Sequence, residues 1–270
     1  MLLRGCGRIG GGLIGLCVLL AAAFDAVGVF ASTVEMAYVS YPAERAYPDI
    51  FLTDLGRGIH HNLTRTPDEF DGAPAWSPDG EWIAFHSDRA GALHIYLMDA
   101  LGRSVRRLAD IPGSAPQWTR DGTTVVFARD PRTLYSVDVT TGALIQLSGE
   151  GIDTAARTMT LDLATDRGGI GGASAPNGSR VLFMRHDGAQ WGIYTARSRA
   201  RHGAILLAGL GRSFYESPVW SPDSRSVAYV ALLNGSYDLF VTAVNPDGTP
   251  GHSHRVTASR TVDSSPAWRP

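Results

Sequence analysis

The chain has 270 residues, of which 44% are hydrophobic and 19% charged, with a formal net charge of -2 at pH 7. This length suits one large all-β domain or two smaller domains. The near-neutral charge argues against a nucleic-acid or polyanion partner, and the 31 glycines suit a fold of many short strands and tight turns.

The first 31 residues have the layout of a secretory signal peptide. Two arginines precede an apolar run over residues 9–24, and residues 29–31 offer a cleavage site that ends in alanine. A membrane anchor over residues 9–30 is the alternative, in which Asp25 would lie inside the apolar segment at a cost of a few kcal/mol. Both arrangements predict a periplasmic or extracellular protein, either free or anchored to the membrane by residues 9–30.

Both cysteines, Cys6 and Cys17, lie in this leader. Residues 32–270 therefore contain no thiol for a disulfide or for a thiolate metal site. The histidine pairs at 60–61 and 252/254 lie in turn-like segments, with no carboxylate cluster at ligand spacing. We predict no metal site and no cofactor.

A short motif recurs along the rest of the chain. The segment PAWSPDG at residues 74–80 returns as PQWTRDG at 116–122 and as PVWSPDS at 218–224. A degenerate copy of the motif, SAPNG, lies at 174–178, and the chain ends on PAWRP at 266–270. The anchor positions 76, 118, 174, 220 and 268 are separated by 42, 56, 46 and 48 residues. A period in the forties with four strands per unit is typical of propeller blades.

The motif residues suit architectural roles. Proline and aspartate shape a tight turn in which glycine can adopt a positive φ, and tryptophan supplies a large apolar face between neighbouring blades. We predict this structural role for Trp76, Asp79, Trp118, Asp121, Trp220, Asp223 and Trp268.

The two ends of the domain complete one another. Residues 36–64 have the pattern of the last three strands of a repeat, and residues 264–268 have the pattern of a first strand. Pairing of the two would remove the exposed edges of an open array. The sequence predicts an all-β propeller of about five four-stranded blades over residues 32–270. The segment 149–173 is interpreted as an insertion, although an extra strand or a degenerate sixth blade would also fit.

The repeat resembles that of a known family. The Trp-Ser-Pro-Asp-Gly motif at 76–80, with Ile-Ala-Phe at 83–85 and Ile-Tyr-Leu-Met-Asp at 95–99, is similar to the WD40-like Pro-Asp repeat of TolB-like β-propellers. The same repeat occurs in the propeller domains of prolyl-oligopeptidase relatives. TolB carries an additional N-terminal domain and a six-bladed ring, and the sequence predicts neither. The resemblance implies the fold and leaves the function to be argued from the site.

The strand order of that family would bring two sets of loops together at one end, the funnel mouth. The first set precedes each motif, and the second joins the second and third strands of each blade. Mixed charged and aromatic groups in such loops suit recognition of a peptide or polar ligand. The predicted partner-binding residues are Asp68, Phe70, Arg89, Arg132, Arg212 and Tyr215.

The leading hypothesis is an exported, non-enzymatic propeller that binds a protein or peptide partner at the cell envelope. No Gly-x-Ser-x-Gly nucleophile elbow occurs in the chain, so no catalytic residue is assigned. One alternative is a propeller enzyme that acts on a carbohydrate or ester substrate through channel carboxylates. Another is a membrane-anchored structural subunit of an envelope complex.

Overall fold

The computed structural model describes residues 34–42, 46–130, 132–147, 170–188, 190–198, 203–211, 218–233, 235–258 and 261–270. The chain divides into two compact units, Met1–Ser32 and Thr33–Pro270. The signal peptide or anchor expected over residues 1–31 lies outside the described residues, so that assignment stays a prediction. Among the described residues, no helix has the length and apolar character needed to cross a membrane.

The described strands form three four-stranded antiparallel sheets and one eight-stranded sheet, in which a single parallel bridge joins two four-stranded antiparallel parts. The five four-stranded units are called sheets A to E here. Sheet A contains β1 (Glu35–Tyr41), β2 (Asp49–Asp54), β3 (Ile59–Asn62) and the last strand of the chain, β20 (Val262–Trp268). Sheet B contains β4 (Asp71–Trp76), β5 (Trp82–Ser87), β6 (His94–Asp99) and β7 (Arg106–Pro112). Sheet C contains β8 (Ser114–Trp118), β9 (Thr124–Asp130), β10 (Thr133–Asp138) and β11 (Leu144–Gln146). Sheet D contains β12 (Ile170–Ser174), β13 (Arg180–His186), β14 (Trp191–Arg197) and β15 (Ile205–Gly211). Sheet E contains β16 (Val219–Trp220), β17 (Ser226–Leu233), β18 (Ser236–Val244) and β19 (Pro250–Arg255).

Sheet A joins the beginning of the domain to its end. The last strand, β20, pairs antiparallel with β1 and places Trp268 opposite Met36. A single parallel bridge between Tyr237 and Val262 links this sheet to sheet E. The all-β propeller fold and its closure by terminal strands are therefore confirmed.

The predicted insertion is only partly described. Its last residues belong to β12, which pairs with β13 as the first strand of sheet D. Residues 148–169 lie outside the described residues. The choice between five and six blades therefore stays a prediction.

Each sheet carries a Phe–Tyr pair across its second and third strands. The pairs, with ring centroids 5.6 to 6.0 Å apart, are Tyr38–Phe51, Phe85–Tyr96, Phe127–Tyr135, Phe183–Tyr194 and Tyr229–Phe240. Such pairs stabilise a fold by about 0.5–1.5 kcal/mol beyond the area they bury. Sheet D keeps the pair Phe183–Tyr194 although its motif lacks the tryptophan. The degenerate motif at 174–178 therefore belongs to the same repeat.

The Pro-Asp motif forms a tight turn after the first strand of a sheet. In sheet B, Asp79 accepts hydrogen bonds from the Ser77 hydroxyl at 2.5 Å and from the Glu81 amide at 3.0 Å. The hydrogen bond from the Ser77 hydroxyl lowers the pKa of Asp79 most, and the bond from the Glu81 amide lowers it further. Asp121 and Asp223 accept equivalent bonds in sheets C and E.

We expect Asp79→Ala to lower the free energy of unfolding by roughly 1 kcal/mol, since it removes one part-buried and one exposed hydrogen bond in the turn. Asp79→Asn keeps a side-chain acceptor at the same place, so it should lose less than half as much. Urea unfolding followed by tryptophan fluorescence measures both values. Equal losses for the two variants would show that charge, rather than turn bonding, sets the role of Asp79.

Tryptophan side chains connect neighbouring sheets in a repeated way. Each indole N–H donates to a main-chain carbonyl on the first strand of the preceding sheet, one residue before that sheet's anchor position. The four bonds are Trp76 to Ala267 at 3.1 Å, Trp118 to Ala75 at 3.0 Å, Trp220 to Ala173 at 3.2 Å and Trp268 to Val219 at 3.2 Å. They join sheets A to B, B to C, D to E and E to A.

The seam between sheets C and D differs from these four. Its anchor position is Ser174, which has no indole to donate. Each of the other seams has an apolar cluster that draws on both sheets. Within the described part of the chain, the cluster on the sheet C side of sheet D, which includes Phe183, draws on sheet D alone. Among the described residues, sheets C and D therefore do not share the inter-sheet packing seen at the other four seams.

Candidate functional site

The loop before β4 and the loop after β5 lie together at one end of sheet B. The Phe70 amide donates to Asp88 Oδ1 at 2.7 Å, and the Asp88 amide donates back to the Phe70 carbonyl at 3.3 Å. The other end of the sheet carries the motif turn, where the Ala100 amide donates to the Glu81 carbonyl at 2.9 Å. The loops that the sequence assigns to a funnel mouth are thus neighbours in this sheet, opposite the motif turn.

Arg89 makes several contacts within this end of the sheet. Its Nη2 donates to Asp71 Oδ1 at 2.9 Å, and its Nε donates to the Ser87 hydroxyl at 2.9 Å. The guanidinium also lies over the rings of Phe85 and Tyr96, at 5.3 and 4.9 Å from their centroids. The Arg89 side chain is 21% exposed, so its guanidinium stabilises the fold as well as forming part of the candidate site.

Phe70 is the centre of a small aromatic cluster at the same end. Its ring lies 5.6 Å from the ring of His86 and 6.4 Å from the ring of Tyr41. Burial lowers the pKa of His86, an effect that Asp71 and Asp88 oppose. The cluster therefore presents neutral aromatic groups beside the Asp71–Arg89 ion pair.

The remaining predicted residues are more dispersed. Asp68 is exposed in the loop before β4, and Arg132 is exposed between β9 and β10 of sheet C. No described contact brings Arg132 to the cluster around Phe70. Arg212 and Tyr215 lie outside the described residues. The assignment of these six residues to partner binding stays a prediction.

Sequence reasoning missed His86, Tyr41 and a set of buried acids. Asp238 and Asp263 are both buried, and Asp263 lies five residues before an anchor tryptophan, as Asp71 does. That shared spacing was the available signal in the sequence. The burial of Asp238 and Asp263 could not be predicted from the sequence, because aspartate is usually exposed.

Among the described residues, no group of three or more His, Cys, Asp or Glu side chains is placed to hold a metal ion. The histidine pairs lie on the outer strands β3 and β19, and not in turns as expected. His252 and His254 stack with their ring centroids 6.2 Å apart.

The repeats of this chain match a known family. Residues 30–165, about half of the chain, match the model described as the TolB beta propeller domain. The chain belongs to the TolB β-propeller family. The resemblance that the motifs indicate is therefore confirmed.

This TolB-family chain has several similar proteins. An uncharacterised protein of Agrobacterium fabrum is 31% identical over 51% of the chain and 47% of its own length. The Tol-Pal system protein TolB of Francisella tularensis subsp. mediasiatica is 23% identical over 90% of the chain and 65% of its own length. An uncharacterised peptidase of Bacillus subtilis is 39% identical over 28% of the chain and 12% of its own length. The chain spans less than two thirds of each relative.

Among solved structures, TolB from Acinetobacter baumannii is similar to this TolB-family chain, with 23% identity and a TM-score of 0.44. The match covers 87% of this chain and 54% of that chain.

Proposed function

We propose that this TolB-family propeller is an exported, non-enzymatic protein that binds a protein or peptide partner at the cell envelope. The observation that carries the proposal is the alignment of 90% of the chain with a protein named as part of the Tol-Pal system. The predicted leader supports export, and it leaves open a soluble periplasmic form and a form anchored by residues 9–30.

The funnel-mouth loops are the proposed binding surface. Phe70 is half-buried between Tyr41 and His86 and adjoins the Asp71–Arg89 ion pair. Partly covered aromatic groups beside an arginine are the residue types that dominate binding energy at protein interfaces. Asp68 and Arg132 add exposed charges at the rim, and Arg212 and Tyr215 belong to the proposed surface by their place in the repeat.

The test is to express the tagged full chain in its native host and to measure intact masses in the membrane and soluble fractions. We expect a mature N-terminus near Ser32 and a defined partner protein. The affinity of that partner should fall roughly tenfold or more for Phe70→Ala, as for an interface anchor. Arg103→Ala, in the turn at the opposite end of sheet B, is the matched control and should leave the affinity unchanged.

Three outcomes would overturn the proposal. Turnover of a glycan or ester substrate that is lost on changing a carboxylate would make the protein an enzyme. Stable stoichiometric partners, together with an intact leader in the membrane fraction, would make it an anchored subunit. Equal loss of affinity in Phe70→Ala and Arg103→Ala, with unchanged melting temperatures, would place binding outside the funnel mouth.

A further inference from the structure

Two places in the fold have the same arrangement of paired aspartates. One lies where sheet A meets sheet B and is called the AB corner, and the other lies where sheet E meets sheet A and is called the EA corner. The AB corner contains Asp49 at the start of β2 and Asp71 at the start of β4. The EA corner contains Asp238 near the start of β18 and Asp263 near the start of β20. In both corners, the first of these acids belongs to a third strand and the second belongs to the first strand of the next sheet.

The hydrogen-bond register confirms that the corners are equivalent. Asp71 stands opposite Ser87 on β5, as Asp263 stands opposite Ser40 on β1. The residues that directly follow Asp49 and Asp238 also donate equivalent hydrogen bonds. The Ile50 amide donates to the Thr64 hydroxyl at 3.0 Å, and the Leu239 amide donates to the Thr257 hydroxyl at 2.9 Å.

In the AB corner, all four carboxylate oxygens have partners. Asp49 Oδ1 accepts from the Thr64 hydroxyl at 2.9 Å, and Asp49 Oδ2 accepts from Asn62 at 2.7 Å. The Thr66 hydroxyl donates to Asp71 Oδ2, and the Arg89 guanidinium donates to Asp71 Oδ1 at 2.9 Å. This corner is complete because Arg89 supplies a cation from within the chain.

In the EA corner, two carboxylate oxygens, Asp238 Oδ1 and Asp263 Oδ2, have no hydrogen-bond partner among the described residues. Their residues are 0% and 1% exposed. The other oxygens are bonded: Arg255 donates to Asp238 Oδ2 at 2.6 Å, and Ser40 donates to Asp263 Oδ1 at 2.6 Å. Buried polar atoms are nearly always paired, and an unpaired buried charge is costly. Arg255 supplies one cation to Asp238, but among the described residues no guanidinium pairs with Asp263 as Arg89 pairs with Asp71.

The sequence explains what is missing. Ser40 and Ser87 are equivalent, so the residue two places after each is equivalent as well. That residue is Arg89 in the AB corner and Pro42 in the EA corner. Burial, with a smaller contribution from the charge of Asp238, raises the pKa of Asp263, and the side chains of Ser40, Thr257 and Thr261 oppose this by hydrogen bonding.

We propose that the EA corner binds a guanidinium group, presented as an arginine side chain by the protein partner. This inference rests on the proposed function and names the chemistry of one group that the partner contributes. The AB corner shows that this backbone and carboxylate arrangement accepts a guanidinium. A guanidinium is weakly hydrated and has several donors, so it pairs with buried carboxylates at lower desolvation cost than an ammonium or a metal ion. Both carboxylates are closed to solvent here, so binding requires local opening.

The proposal is tested by titrating the full chain with methylguanidinium chloride, followed by calorimetry and by the melting temperature. Methylammonium and calcium chloride at matched ionic strength are the competing cations. We expect saturable binding of methylguanidinium alone, weakened roughly tenfold or more by Asp263→Asn.

Pro42→Arg places an arginine where the AB corner has one. It should abolish methylguanidinium binding and raise the melting temperature without ligand. Pro67→Arg adds the same charge at an exposed position in the loop before β4 and should leave binding unchanged. Because Pro42→Arg gains stability, a loss of binding in that variant is not a failure to fold.

Preferential binding of calcium would overturn the proposal and assign the corner to a metal ion. Absence of any binding, with a higher melting temperature for Asp263→Asn, would also overturn it and show that Asp263 is a neutral buried acid. Both results leave the proposed function standing, because partner binding through Phe70 is measured separately.

Discussion

Replacing Trp76 with alanine is expected to lower the free energy of unfolding by about 3–5 kcal/mol, the range for large buried aromatic side chains. Trp76 is buried at the seam between sheets A and B. Its indole donates to the Ala267 carbonyl at 3.1 Å, and the Arg269 guanidinium lies 5.1 Å from its ring centroid. Both of these residues belong to the C-terminal segment, so the substitution also weakens the attachment of β20.

The measurement is guanidinium chloride unfolding of the mature chain, with two matched variants. Trp76→Phe keeps most of the apolar volume and removes the N–H donor, so it should cost about 1–2 kcal/mol. Trp82→Ala removes a half-buried tryptophan that is not one of the anchor residues, and it should cost less than Trp76→Ala. A Trp76→Phe variant as unstable as Trp76→Ala would mean that the indole–carbonyl bond, rather than packing, carries the effect.

The recurring motif made most of this fold predictable from the sequence. Trp76, Trp118, Trp220 and Trp268 recur at blade-like spacing, and the pattern at residues 36–64 lacks a first strand. A terminal strand that pairs with β1 follows from those two facts. The indole–carbonyl bonds were not predictable, because they join residues far apart in sequence and their acceptors are main-chain atoms, which carry no residue-type signal.

The candidate site was less predictable for a different physical reason. The sequence places Phe70 and Arg89 in mouth loops, and the two do lie in neighbouring loops of sheet B. It does not reveal that the Arg89 guanidinium is bound to Asp71. That requires the cross-strand register, which sets Asp71 opposite Ser87. The acids of the EA corner were missed for the same reason, since their importance depends on which oxygens find donors.

The seam between sheets C and D gives the second large effect. Ile95 of β6 is fully buried, as are its equivalents Ile50, Ile193 and Leu239 in sheets A, D and E. The equivalent residue of sheet C, Leu134, is 36% exposed. The same position therefore lies inside a packed seam in four sheets and at a partly uncovered face in the fifth.

Ile95→Ala should lower the free energy of unfolding by about 2–5 kcal/mol, because it leaves a cavity between sheets B and C. Leu134→Ala should cost less than about 1 kcal/mol, since much of the side chain already contacts water and little cavity forms. The two variants remove similar apolar groups at equivalent points of the repeat, so each controls for the other in urea unfolding. A Leu134→Ala loss as large as that of Ile95→Ala would show that the sheet C face is packed in solution. A small loss would mean that the four seams with an indole–carbonyl bond supply most of the stability of the fold. The seam between sheets C and D, whose anchor position is Ser174, would then contribute little.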